Sequence, residues 1–564
     1  MLSSLTLILS CFAAKSIAAN VNMSHSVTNY ETIAPIEVVG SKLFYQGSET
    51  QFFIKGIAYQ QMRQPNETYS KELKCSYIDP LANATTCLRD LELLKELGVN
   101  LVRVYQIDPL ANHDICMEAF AREGVYVLAD LSEPELSINR ENPTWNTELY
   151  DRYTSVVDSL NKYNNVMGFI AGNEVTTSKS NTDASPFVKA AFRDIKRYIA
   201  ANGYRSIPVG YASNDDSETR MNLSNYFVCQ DESGTKDSIA DFLGINMYEW
   251  CGYSSYSTSG YRERTAEYSN FPVPIFFSEY GCNTAGPSRP FTEVEAIYGS
   301  TMSSVWSGAI AYSYFEGENH YGIVQERPDG TVQKMGDFET LSMRLNSAQP
   351  KSAIKKQQNS GKIPNCPKQS SVWKASSVLP PTPDEGKCEC IQSTFSCIVS
   401  PYKDIGDYQQ FLEEVCTSVD CSRIRSDSSR GVYGSLSDCN LKQQLSYALN
   451  QFYLINQQQE SSCDFSGRAI LVNGNTDLEE IYSQDGRTCQ EAIGIIEWSN
   501  NSTNETRNVI PTLHSNMTEY GDINEQRNFK QNHNRSMSSN GIKNQVVGGI
   551  VKLLMFMSGL FFVL

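Results

Sequence analysis

Two segments of this chain end in a carboxylate that directly follows an apolar, β-prone run. Val166-Met167-Gly168-Phe169-Ile170-Ala171 leads into Gly172-Asn173-Glu174-Val175, and Val273-Pro274-Ile275-Phe276-Phe277 leads into Ser278-Glu279-Tyr280-Gly281-Cys282. If both runs are parallel strands of one barrel, Glu174 and Glu279 stand at carboxyl ends of strands and face the same mouth. Two carboxyl groups across a cleft can cleave a glycosidic bond, one giving a proton to the leaving oxygen while the other attacks or activates water. An isolated Glu in such a place is more often a polar residue closing a strand. Asn-Glu and Ser-Glu-Tyr-Gly together, about 100 residues apart, have the spacing of several strand–helix units and favour the chemical reading.

The elements that must position them recur regularly. Strand-like runs are Phe52–Tyr59, Val99–Tyr105, Val125–Leu131, Val166–Ala171, Ile207–Ala212, Phe242–Tyr248, Val273–Ser278 and Gly308–Phe315. Helix-like segments fall at Cys87–Gly98, Asp114–Gly124, Tyr150–Tyr163, Pro186–Asn202 and Thr292–Ser303. Eight strands alternating with helices over about 300 residues predict a (β/α)8 barrel with its site at the C-terminal face. A doubly wound open sheet would want a Gly-rich phosphate loop after the first strand, and none follows it.

The 564 residues exceed one domain, and a net charge of −17 argues against nucleic acid or an anionic membrane surface as partner. The 31 tyrosines and 24 phenylalanines suit a neutral hydroxylated ligand that stacks on rings. Residues 1–19 read as a secretory signal peptide, and nine Asn-X-Ser/Thr sequons, from Asn22 to Asn534, agree with export. The expected catalytic domain spans 27–350, followed by a Lys-, Ser- and Pro-rich linker at 351–386. A module at 387–490 holds eight cysteines (Cys388, Cys390, Cys397, Cys416, Cys421, Cys439, Cys463 and Cys489) but no histidine, so four disulfides are expected in preference to a metal. An Asn-rich stalk at 491–540 leads to an apolar terminus, 541–564, which reads as the removed part of a glycosylphosphatidylinositol (GPI) attachment signal, with the anchor near Asn540. Sixteen cysteines less Cys11 of the signal leave an odd fifteen, so at least one thiol stays free or pairs between chains.

Several motifs jointly resemble the fungal GPI-anchored β-1,3-glucanosyltransferases, the Gas/Phr group of retaining glycoside hydrolases (family 72). They are Phe53-Ile54-Lys55-Gly56-Ile57-Ala58-Tyr59-Gln60, Val102-Arg103-Val104-Tyr105, Asp130-Leu131-Ser132, Ile170-Ala171-Gly172-Asn173-Glu174-Val175, Gly244-Ile245-Asn246-Met247-Tyr248, Phe276-Phe277-Ser278-Glu279-Tyr280-Gly281-Cys282 and Tyr314-Phe315-Glu316. The resemblance implies an enzyme that cuts an internal β-1,3 bond and rejoins the new reducing end to another glucan chain. It makes Glu174 the general acid/base and Glu279 the nucleophile. Asn173 is then placed to bond the sugar 2-OH and Tyr248 to orient the nucleophile. Burial or the neighbouring negative charge is expected to raise the pKa of Glu174, and retention requires the two carboxyls about 5–5.5 Å apart.

Gln60, Tyr105, Asp130, Asn246, Tyr312 and Tyr321 are further sugar-binding candidates, against readings in which Arg103 and Asp130 form a structural ion pair and the tyrosines pack the rim. Glu133 and Glu316 read as supporting or solvated. The family pattern implies disulfides Cys87–Cys116, Cys251–Cys282 and Cys229–Cys366, with Cys75 unpaired. The eight-cysteine module resembles the Cys-box carbohydrate-binding domain of one subgroup, whose aromatics Phe395, Tyr402, Tyr408, Phe452 and Tyr453 either stack glucan or form its core. The expected partners are β-1,3-glucan donor and acceptor chains and the outer leaflet through the anchor. The expected protein is a monomer on the outer face of the plasma membrane or in the wall, with no cofactor and no metal. An endo-β-1,3-glucanase and a non-catalytic wall-binding protein are the rival readings.

Overall fold

The computed structural model describes residues 33–62, 77–230, 234–286, 288–358, 361–403, 405–475 and 477–493. The signal peptide, Cys75, nearly all of the stalk and the anchor signal near Asn540 lie outside the described residues. The chain divides into two compact units. One comprises the barrel and extends to Pro383, with the segment Arg425–Asp438 added; the other contains Asp384–Ile424 and the residues from Cys439 onward.

The barrel closes from eight parallel strands: β1 (Ile54–Ala58), β2 (Leu101–Val104), β3 (Tyr126–Asp130), β4 (Val166–Asn173), β5 (Val209–Ser213), β6 (Leu243–Asn246), β7 (Ile275–Tyr280) and β8 (Trp306–Ala311). Each lies within or overlaps one of the eight strand-like runs. Their residues are almost wholly buried because helices cover the outer faces and side chains fill the inside. Ile54, Leu101, Leu128, Met167, Ile170, Phe242, Phe276 and Ile310 belong to the barrel-interior cluster. Ile36 and Leu43 of an antiparallel hairpin (Ile36–Val39 with Lys42–Tyr45) join the same cluster. Closure is tightest at β8. A Cβ on Gly308 (φ +113°) would lie 2.1 Å from the Ile54 carbonyl oxygen of β1, so only glycine lets these strands pair.

The covering helices are α1 (Ala84–Leu97), α2 (Asp114–Arg122), α3 (Thr147–Leu160), α4 (Ser185–Ala201), α5 (Arg220–Val228), α6 (Tyr261–Glu267), α7 (Glu293–Tyr298), α8 (Ser300–Ser303) and α9 (Gly336–Ser347). Helix α1 shows the local logic. Asn83 caps its N-terminus by accepting from the Thr85 and Thr86 N–H groups, Leu91, Leu94 and Leu97 bury one face, and Gly98 ends it at φ +74°. The helix expected over Thr292–Ser303 breaks at Gly299, whose extended backbone separates α7 from α8. Periodicity missed α5, α6 and α9. Leu223, Tyr226, Phe227 and Val228 crowd the end of α5 without a clean apolar stripe, and α6 has only seven residues.

Residues 351–383, expected as a linker, belong to the barrel unit. Trp373 is fully buried with its ring 5.3 Å from that of Tyr226, and the Arg193 guanidinium donates to the Pro380 carbonyl at 2.9 Å. A few apolar anchors in a Lys/Ser/Pro-rich stretch suffice to dock it, and composition averages them away. Arg425–Asp438 also packs on the barrel: Thr147 N–H donates to the Asp438 carbonyl, and Tyr433 meets Phe187 edge-on.

The smaller unit is built on α10 (Glu385–Ser393), α11 (Tyr408–Cys416) and α12 (Leu441–Ile455), with Cys397–Val399 pairing antiparallel to Ala469–Leu471. Disulfides Cys388–Cys439, Cys390–Cys489, Cys397–Cys463 and Cys416–Cys421 staple it. Phe395 and Tyr453 are buried, Phe452 packs edge-on against Phe465 at 5.1 Å, Tyr408 is half-buried, and Tyr402 is 88% exposed. Among the described residues no helix is long and apolar enough to cross a membrane.

Candidate active site

The carboxyl ends of seven of the eight strands, with the loops that follow them, converge on one polar cluster. Glu279 sits within β7 and is 7% exposed. Its Oε2 accepts from the Tyr248 hydroxyl at 2.8 Å, and its Oε1 accepts from the Tyr105 hydroxyl at 2.9 Å and from Arg103 Nη1 at 3.3 Å. Burial pushes this carboxyl up to about 7, and the charge of Glu174 adds to the rise. Arg103 and the two phenols pull in the opposite direction. Tyr105 and Tyr248 are raised well above the usual phenol range, by burial first, so both remain protonated donors.

Arg103 is fully buried and organises the cluster. It holds Asp130 at 2.9 and 3.1 Å, donates through Nη2 to Asn173 Oδ1 at 2.9 Å, and lies 4.3 Å from the centre of the Tyr105 ring. An arginine cannot accept a hydrogen bond, so this contact fixes which Asn173 atom is oxygen. Asn246 Nδ2 donates to the same oxygen at 3.3 Å and to Glu174 Oε1 at 2.8 Å, while its own Oδ1 accepts from Ser278 Oγ at 2.8 Å. A polar chain therefore runs from Glu174 through Asn246, Asn173 and Arg103 to Glu279. Ser278 reaches Asn246 because Gly244 has no side chain; a Cβ there would stand 2.5 Å from Ser278 Cβ.

Glu174 follows β4 with φ +48°, a left-handed conformation that costs a non-glycine residue roughly 1–3 kcal/mol. Two bonds hold it there: its N–H donates to the Ala212 carbonyl of β5 at 2.8 Å, and its carbonyl accepts from Arg140 Nη2 at 2.7 Å. The turn redirects the chain as it leaves β4, and the half-buried carboxyl lies against Asn246.

An aromatic wall encloses Glu279. Tyr105 meets Tyr312 edge-on (6.4 Å), Tyr312 meets Tyr321 (5.4 Å), and Tyr321 meets Tyr248 (5.7 Å). Disulfide Cys251–Cys282 joins the loop carrying Tyr248 to the one following Glu279. Cys87–Cys116 links α1 to α2, and Cys229–Cys366 fastens the segment after α9 to the end of α5.

The sequence-derived residues thus meet in one place, with different roles. Asp130 forms the ion pair with Arg103. Gln60 lies at the end of β1, but its amide is taken up by the backbone: Oε1 accepts from the Tyr105 and Gln106 N–H groups, and Nε2 donates to the Ile78 and Gln61 carbonyls. Its evident work is to join the ends of β1 and β2. Glu133 pairs with Arg152 at 3.5 Å, and Glu316 binds His320 and the Gly322 N–H. Sequence reasoning reaches Arg103 only as a partner of Asp130 and passes over Ser278 and Arg140 as functional residues. A lone cation in the apolar run Leu101-Val102-Arg103-Val104 is the available signal, because a buried strand rarely carries one without a carboxylate partner.

A closed parallel barrel with two carboxyls at its C-terminal mouth is the arrangement of an enzyme acting on glycosidic bonds. Residues 25–349, more than half of the chain, match the Glucanosyltransferase family, and residues 395–470 match the X8 domain. Among curated relatives, 1,3-beta-glucanosyltransferase PGA5 of Candida albicans is 53% identical over 479 residues (81% of this chain, 74% of that protein). The 1,3-beta-glucanosyltransferase GAS2 of Saccharomyces cerevisiae is 48% identical over 463 residues (80% and 82%). A solved structure of Saccharomyces cerevisiae Gas2p in complex with laminaritriose and laminaritetraose superposes with a TM-score of 0.72 at 48% identity, covering 78% of this chain and 97% of that one. The chain belongs to the glucanosyltransferase family.

Proposed function

We propose that this chain cuts an internal β-1,3-glucan bond by double displacement and transfers the new reducing end to a second glucan chain, with Glu279 as nucleophile and Glu174 as acid/base. The observation that carries the assignment is the inequality of the two carboxyls. Glu279 is buried under three donors, Arg103, Tyr105 and Tyr248, which stabilise its carboxylate. Glu174 is half-buried, takes one side-chain donor and is open toward the mouth.

In the first step Glu279 attacks the anomeric carbon while Glu174 protonates the departing oxygen, leaving a covalent glucosyl-enzyme. In the second step an acceptor hydroxyl gives its proton to Glu174, its oxygen bonds the anomeric carbon, and the bond to Glu279 breaks with its electron pair returning to the carboxylate. Asn173 Oδ1 is held by Arg103 and Asn246, so its Nδ2 hydrogens are available to the 2-OH of the reacting sugar. Tyr248, Tyr312 and Tyr321 form the aromatic wall beside the reacting sugar. Gln60, Tyr105, Asp130 and Asn246 support the site through the bonds described above.

Seven disulfides among the described residues support an oxidising, extracytoplasmic setting. The reading includes GPI attachment near Asn540 and residence at the cell surface or wall. Incubation with a reduced laminari-oligosaccharide tests the activity: products longer than the substrate are expected, and exclusively shorter ones would instead establish a hydrolase.

A further inference from the structure

A buried arginine between β7 and α7 takes no part in the chemistry of the two glutamates. Arg289 is 3% exposed, and every nitrogen of its guanidinium donates. Nη1 reaches the Gly281 carbonyl at 3.2 Å and the Tyr312 carbonyl at 2.7 Å, and Nη2 reaches the Tyr321 carbonyl at 2.7 Å. Nε bonds Asp337 Oδ2 at 2.6 Å, and the Arg289 backbone N–H bonds Oδ1 of the same carboxylate at 3.1 Å. Asp337 is itself buried in the first turn of α9. A planar fork suits this task, because its N–H groups point in set directions and can serve several acceptors at once.

The three carbonyls belong to one functional unit. Gly281 stands two residues after Glu279, and Tyr312 and Tyr321 supply rings to the aromatic wall. The guanidinium also lies 5.7 Å from the centre of the Tyr321 ring and 4.8 Å from that of the buried Phe291. Thr292 takes the other end of the wall. Its Oγ1 accepts from Trp250 Nε1 at 2.9 Å and donates to the Gly252 carbonyl at 3.2 Å, in the loop that carries Tyr248. One short stretch, Arg289-Pro290-Phe291-Thr292, therefore braces the loops after β6, β7 and β8. A buried ion pair is a weak source of stability and is better attested as a means of fixing one arrangement.

We propose that Arg289, clamped by Asp337, is a positioning residue for glucan binding. It sets Tyr312 and Tyr321 relative to the turn after Glu279, and with them the shape of the wall that the glucan meets. The inference rests on the reading of these rings as the wall beside the reacting sugar. The side-chain bonds of Arg289 go to backbone carbonyls and to Asp337, so its influence reaches substrate through the rings. A displaced wall loosens the ground state and the transition state alike, and such a loss registers in KM more than in kcat.

The test is Arg289→Lys in the full chain, set against Asp337→Asn, Tyr321→Ala and the Arg289→Lys/Tyr321→Ala double variant. Lysine keeps a charge opposite Asp337 but cannot bridge three carbonyls as the fork does. The readouts are KM and kcat for consumption of a reduced laminari-oligosaccharide, and the melting temperature. Arg289→Lys is expected to raise KM on the order of tenfold with a smaller change in kcat, and Asp337→Asn to raise it about threefold. In the Tyr321→Ala background the lysine should raise KM far less, because a ring that it displaces is already gone, whereas a loss of melting temperature should still add in full. If Arg289→Lys melts poorly, Asp337→Asn carries the comparison in both backgrounds. A KM unchanged by the variant that is read overturns the proposal. So does an equal rise with and without the Tyr321 ring, which would make Arg289 a support of the fold alone. If Tyr321→Ala itself leaves KM at the parent value, the rings are not where glucan binds, and the reading of the wall fails together with the proposal. If the parent protein yields only shorter products, the transferase reading fails while the KM comparisons still decide the role of Arg289.

Discussion

The ends of β4 and β7 each present a glutamate to the same mouth, and the two are built in opposite ways. Glu279 lies within β7, is nearly inaccessible, and has both carboxylate oxygens bonded to donors from β2 and the loops after β2 and β6. Glu174 has a strained backbone held by Ala212 and Arg140, while its carboxyl has one side-chain partner. A nucleophile needs a fixed, charge-stabilised oxygen. A group that releases and recovers a proton in one cycle needs access to the reacting oxygen and freedom from strong donors. The difference between the two strand ends matches the division of labour proposed for them, and each prediction below alters one side of it.

The largest effect is expected from Glu279→Gln, with loss of turnover on the order of 10³-fold or more. Its stability should move the other way. The folded-state pKa is raised from the ordinary 4.5 to about 7, so stability is fullest below about pH 4.5 and declines as pH rises through about 7. Glutamine removes that cost, and Arg103 keeps Asp130 as its partner. Melting at pH 8 should be equal to or above that of the parent; a fall of several degrees would mean that the charge supports the fold.

Glu174→Ala comes next and should discriminate between substrates. Cleavage of oligosaccharides should fall on the order of 10²–10³-fold, whereas an aryl glucoside with a good leaving group still forms the glucosyl-enzyme. Azide should then restore turnover by entering where the acceptor does and give a β-glucosyl azide. An α-azide product would refute double displacement.

Tyr248→Phe removes one donor from Glu279 and should cost on the order of 10–100-fold in kcat. With that donor gone the carboxyl titrates higher still. The acid limb of the pH–rate profile, along which activity is lost as pH falls, should therefore move to higher pH. A limb that stays in place would show that Tyr248 only packs.

Arg264→Met should have the smallest effect, on the order of a few-fold. Arg264 holds Asp215 at 2.9 Å and Glu249 at 2.8 Å, and Glu249 follows Tyr248 directly. The variant should shift the acid limb in the same direction as Tyr248→Phe but by less. Combining the two should produce no further shift.

Much of this architecture is legible in the amino-acid sequence. Apolar runs with helices between them are enough to identify a barrel, because strands buried on both faces must be apolar throughout. The two glutamates are legible because each carboxylate directly follows such a run. Arg103 is visible as an oddity, but its three carboxylate and amide partners lie in β3, β4 and β7, and no local pattern encodes them. The short helices α5 and α6 lack a periodic stripe. The segment 351–383 reads as a linker because its anchors, Trp373 above all, are sparse.

The sequence by itself determined the barrel, the carboxylate pair and the eight-cysteine module, because hydrophobic period, residue type and order along the chain are local properties. Only the tertiary structure decided how differently the two glutamates are held. That distinction comes from burial and from hydrogen-bond donors brought to one point from strands far apart in sequence. The same convergence determined that Gln60 closes the backbone between β1 and β2, and that Arg289 gathers the Gly281, Tyr312 and Tyr321 carbonyls.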